Sequence, residues 1–116
     1  MAIHEVSSHD LETLKNLGWH LDGNRLVGKY QTAHGSWDGI IKPGNDGWEF
    51  YILDCPRQVL IGGHRNCFRS RSNFEGRSVH FVHFHTSCIE PIGGIAAVTK
   101  VIEEDVAESP ANDVGH

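Results

Sequence analysis

Three histidines, His80, His83 and His85, fall within six residues in the stretch "HFVHFH". Imidazoles at this density can ligate a metal ion or move protons, and the parity of a strand decides which of them can act together. Neighbouring strand residues point to opposite faces. His83 and His85 therefore share a face with Val79 and Phe81, while His80 stands with Val82 and Phe84 on the other. Two imidazoles two residues apart can address one zinc ion, with a third ligand from His64, Cys67 or Cys88. That set would support a histidine-dependent, metal-assisted chemistry such as hydrolysis. The stretch has no local carboxylate partner and no ligand-fixing signature such as HExxH. The simpler reading, a sheet strand with imidazoles at its polar positions, is favoured.

Cys88 offers a second chemistry. It lies just ahead of an expected helix, whose dipole can lower a thiol's pKa, and His85 is close in sequence. A complete Cys-His-acid set cannot be read from the chain, and a free cysteine is usually a small buried hydrophobe. No catalytic residue is assigned.

The segment "PRQVLIGGHRNCFRSRSNFEGR" is the third candidate. Arg57, Arg65, Arg69, Arg71 and Arg77 accompany a single acid, Glu75, and the arginine fork suits phosphate or carboxylate. Phe68 and Phe74 between them can stack on a base or an aromatic ligand. Gly62-Gly63 fits no phosphate-loop motif. From Val101 onward the balance reverses, with Glu103, Glu104, Asp105, Glu108 and Asp113 and no base. The net charge of −5 thus conceals a basic patch. It also argues against a dedicated nucleic-acid binder, which is more often basic overall.

The rest of the composition sets the frame for these sites. At 116 residues, 39% hydrophobic and 22% charged, the chain matches one soluble domain with a single core. Three cysteines without a CxxC pair argue against a disulfide framework or a zinc ribbon. No apolar run is long enough to span a membrane. The N-terminus shows no secretory signal, so a cytoplasmic location is expected.

Positioning falls to a helix, a run of strands and a second helix. Ser7 or Ser8 caps the first helix, with Leu11, Leu14 and Leu17 on its apolar side and Gly18 ending it. "DGN" at 22–24 and "PGNDG" at 43–47 are turn chemistry between strands. In "WEFYILD", Trp48, Phe50 and Ile52 form the better core face, opposite Glu49, Tyr51 and Leu53. "RQVLIGG" and "CFRS" are short strands, "SRSNFEG" is a loop, and 77–85 is the last clear strand. A helix from Pro91 to about Glu108 carries Ile95, Val98, Ile102 and Val106 on one stripe, and Ser87 with Glu90 has capping-box spacing. Trp19, Trp37, Trp48, Tyr30 and Tyr51 serve as core and cross-strand packing, unless Trp37 and Tyr51 face solvent and mark a contact patch.

The expected architecture is a single α+β domain over residues 1–108, with a disordered tail at 109–116. An N-terminal helix and a C-terminal helix pack on a four- to six-stranded, mainly antiparallel meander sheet. The expected function is a non-catalytic binding or regulatory module that meets a protein or anionic partner through the arginine-rich surface at 57–77. No cofactor is expected; the alternative is the zinc-type histidine site. Nucleic acid is a less favoured partner, and an exposed sheet edge offers a route to a homodimer.

Overall fold

In the computed structural model, residues 6–59, 67–74 and 76–110 are described, with 57–59, 67–74 and 107–110 described by backbone alone. Ser7 accepts the amide hydrogen of Asp10 at 3.1 Å and starts α1 (Ser8–Asn16), with Asp10 in the first turn and Lys15 in the last. Both charges suit the helix dipole. Leu14 is fully buried and Leu11 packs beside the core, but Leu17 closes the helix and stays 44% exposed. Gly18 takes a φ of 97°, a left-handed turn that glycine adopts without strain. The Trp19 amide then donates to the Leu14 carbonyl at 2.9 Å, and its indole is buried in the core.

Four strands follow as a meander, β1 (His20–Asp22), β2 (Arg25–Thr32), β3 (Gly35–Pro43) and β4 (Gly47–Leu53). After β5 (Arg57–Val59), β6 (Cys67–Phe74) and β7 (Arg77–His85) enter the same sheet as a hairpin. It is β7 that lies against β4, so the order is β1-β2-β3-β4-β7-β6 and every pairing is antiparallel. The α+β architecture matches the expectation. The segment "SRSNFEG", expected as a loop, instead falls largely in β6, because pairing along β7 overrides the weak strand preference of serine and asparagine.

One face of the sheet carries Leu26, Tyr30, Ile41, Trp48, Phe50, Ile52, Val82 and Phe84 into the main core. Trp19 lies flat over the paired glycines Gly28 and Gly39, where an added Cβ would come within 2.5 Å and 2.6 Å of its ring. Tyr30 meets that indole edge-on at 5.1 Å, and Phe50 meets Phe84 in the same way at 5.5 Å. Such pairs contribute about 0.5–1.5 kcal/mol beyond their burial. On the opposite face Ile40, Leu53 and Val79 form a second, smaller cluster with Tyr51, to which, among the described residues, no helix residue belongs.

The C-terminal helix is two helices, α2 (Thr86–Ile92) and α3 (Ile95–Glu104). Gly93 and Gly94, at φ of 119° and 105°, separate them, and both their amides donate to the Ile89 carbonyl. The cap of α2 is His85 rather than Ser87, so this helix starts before Pro91. No side chain of its own caps α3. Asp10 of α1 does so from a distance, accepting from the amides of Ile95 at 2.7 Å and Ala96 at 2.9 Å. Ile95, Val98 and Ile102 are buried as the periodicity demands. The helix stops at Glu104, short of Glu108, and β8 (Val106–Pro110) pairs antiparallel with β5. Residues 109 and 110 of the expected tail thus lie in a strand, while 111–116 fall outside the described residues. No described helix is long and apolar enough to cross a membrane.

Candidate functional site

The β4–β7 register places His83 opposite Glu49 and His85 opposite Gly47. Gly47 has no room for a side chain, since a Cβ there would lie 2.1 Å from the Phe84 carbonyl oxygen. This close approach brings the β3–β4 turn beside the end of β7. Asp46 in that turn lies with Oδ1 3.0 Å from His83 Nε2 and Oδ2 3.8 Å from His85 Nε2. Its backbone carbonyl accepts from both the amide and the hydroxyl of Thr86, each at 3.1 Å. Asp46 therefore ties the turn to the β7–α2 junction.

Each histidine of the run has a task in the fold. His85 Nδ1 accepts the Ser87 amide hydrogen at 3.1 Å and lies 2.8 Å from the Ser87 hydroxyl, which caps α2 and leaves the ring proton on Nε2, facing Asp46. His80, on the helix-covered face, lies with Nε2 3.2 Å from the Cys55 carbonyl and links β7 to the segment after β4. His83, 14% exposed at its side chain, has its Nε2 toward Asp46.

Of the other candidates for a metal set, positions 67 and 88 fall among the described residues. By register Cys67 sits opposite Phe84, on the face away from His83 and His85. Cys88 of α2 is partly buried and packs against the main core. His64 lies outside the described residues. Among the described residues no group of three histidine, cysteine, aspartate or glutamate side chains is placed to hold a metal ion. His80, His83 and His85 line none of three hollows among the described residues, one of about 560 Å³ between α1, α2 and the start of α3 and two of about 360 and 260 Å³.

Within the arginine-rich segment, Arg77 is the arginine whose side chain is described. Arg77 is bound within the sheet, donating to Asp54 Oδ2 from Nε at 2.8 Å and to Asp38 Oδ2 from Nη2 at 3.0 Å. Lys29 adds a contact to Asp38 at 3.2 Å. Hydrogen bonds from Arg77 and then Lys29 hold the Asp38 carboxyl below its ordinary range. Asp54 takes a φ of 58°, a left-handed conformation that aspartate tolerates better than most residues. Arg69 and Arg71 sit on β6 opposite Val82 and His80, positions on the helix-covered face. Phe68 and Phe74, opposite His83 and Arg77, fall on the other. The register positions of arginine and phenylalanine on β6 thus alternate between the two faces. Arg57 pairs with Pro110 in the β5–β8 ladder, and Arg65 lies outside the described residues.

The face opposite the main core also carries a polar row. The Tyr51 hydroxyl donates to Glu49 Oε1 at 2.9 Å, and its ring tilts against Phe81 at 5.1 Å. Lys42 Nζ lies 5.6 Å from the centre of that ring. Burial, with the Glu49 carboxylate beside it, pushes the Tyr51 phenol upward, so it remains a neutral donor. Trp37 is partly buried against the main core, which makes it a packing residue.

Sequence reasoning missed Asp46 and Asp10, whose roles depend on elements distant in the chain. Each was visible only as a turn or first-turn acid; the β4–β7 pairing and the α1–α3 contact supply the rest. Compared with protein-family models, with curated proteins and with solved structures, the chain matches none, so its function must be read from its own residues.

Proposed function

We propose that the protein is a non-catalytic binding module that meets an anionic or protein partner through its arginine-rich segment, with β6 at the centre of the contact. The observation that carries this reading is the position of β6. Among the described residues it is an eight-residue edge strand with arginines at alternate positions 69 and 71, whereas the other edge, β1, has three residues. An edge strand offers backbone donors and acceptors to a partner, and alternate arginines add charge along one face of it. Arg77 is set aside from the contact, since its fork is already bound to Asp38 and Asp54. His80, His83 and His85 are likewise engaged within the fold.

Binding of polyglutamate and of a single-stranded oligonucleotide, measured at low and raised salt, tests the reading. Arg69→Glu with Arg71→Glu should weaken polyglutamate binding by about tenfold or more, because each lost charge contact removes a salt-sensitive increment of affinity. The same reversal at Lys15, on α1, should leave it unchanged. Equal binding by the β6 variant and the original chain, or no binding of either anion, would remove the reading.

A further inference from the structure

We infer that the partner of β6 is an extended segment of alternating acidic and apolar residues that adds to the sheet as a further antiparallel strand; this rests on the binding reading above. Among the described residues the eight of β6 form the sheet edge, and their two faces differ in kind. The register places Cys67, Arg69, Arg71 and Asn73 on one face and Phe68, Ser70, Ser72 and Phe74 on the other. A strand alongside it has the same alternation available. Its acids would meet Arg69 and Arg71 on one face, and its apolar residues would lie beside the phenylalanine positions on the other.

The same arginines disfavour the competing occupant, a second copy of this chain. In an antiparallel pairing of two β6 strands about a two-fold axis, opposed residues must share a face. Registers that overlap most of the strand then set Arg69 of one copy against Arg71 of the other, or Arg71 against Arg71. Like charges directly opposite one another destabilise a strand pair. Charged edge residues commonly serve to block such self-association. Here they leave the edge selective for an acidic strand.

Fluorescence anisotropy with two labelled, end-blocked octapeptides tests the inference. One alternates valine and glutamate; the other has two valines replaced by proline, which keeps the charge but removes backbone donors and breaks a strand. The alternating peptide should bind, the proline peptide about tenfold or more weakly, and Arg69→Glu with Arg71→Glu should remove the difference. Equal binding of the two peptides would overturn strand addition while leaving an anion-binding surface. Failure of both peptides, with polyglutamate also unbound, would overturn the inference and the binding reading together. A free protein that sediments as a dimer protected along β6 would make the second copy the occupant and overturn the inference alone.

Discussion

Asp46 Oδ1 and His83 Nε2 lie 3.0 Å apart, joining a turn residue to a strand residue that sequence parity alone presents as a free ligand. Together with the Asp46 carbonyl's two bonds from Thr86, this contact holds the β3–β4 turn against the start of α2. Asp46→Ala removes the side-chain part and leaves the carbonyl part. A loss of about 1 kcal/mol is expected, with a smaller loss for Asp46→Asn, which keeps an acceptor. Denaturant unfolding of Asp46→Ala, His83→Ala and the double variant should show coupling between the two sites. Strict additivity would mean that the contact carries no stability.

Zinc gives the complementary check on the histidines. A metal bound to the folded state raises the unfolding midpoint by mass action. With His83 and His85 turned to Asp46 and Cys67 on the other face, excess zinc should leave the midpoint of the untagged protein unchanged. A clear rise that disappears in His83→Ala would restore the metal-dependent reading.

The Tyr30 hydroxyl is fully buried and has no hydrogen-bond partner among the described residues. Burial first, and the Glu103 carboxylate second, push its phenol well upward, so it stays protonated. Tyr30→Phe keeps the ring against Trp19 and removes the unsatisfied group. Stability should rise by about 1 kcal/mol, since an unpaired buried hydroxyl costs on that order. A loss in thermal or denaturant unfolding would show that the hydroxyl has a stabilising partner.

Asp38 sets a pH dependence of known sign. Its carboxyl is held low in the folded state by Arg77 and Lys29, so it contributes stability above the ordinary carboxylate pKa of about 4. That contribution is lost as pH falls through the lower folded value. Asp38→Asn should therefore be less stable than the original chain at neutral pH and converge with it in acid. With the Asp38 side chain 43% exposed, solvent screens the pair and the gap is small. A gap that widens on acidification in unfolding curves would contradict the assignment.

Period-2 alternation was enough to place Trp48, Phe50 and Ile52 on the buried face and to separate His80, with Val82 and Phe84, from His83 and His85, because it depends only on local geometry. The Ser7 cap and the Gly18 stop were legible for the same reason. What was hidden depended on pairing between distant segments. "SRSNFEG" has the composition of a loop, and only its partner β7 makes most of it a strand. The break at Gly93-Gly94 was overlooked because the apolar stripe continues across it; the α3 end is then capped by Asp10, eighty-five positions earlier. For the candidate site, the list of arginines could be read, but their division between a bound Arg77 and the edge positions 69 and 71 could not.

Amide hydrogen exchange with and without polyglutamate tests the central claim most directly, because it reports which strand meets the ligand. Slower exchange confined mainly to residues 67–74 is the expected result, with residues 40–51 and 81–85 little changed. Protection centred instead on the Lys42, Tyr51 and His83 face, with β6 unaffected, would contradict it.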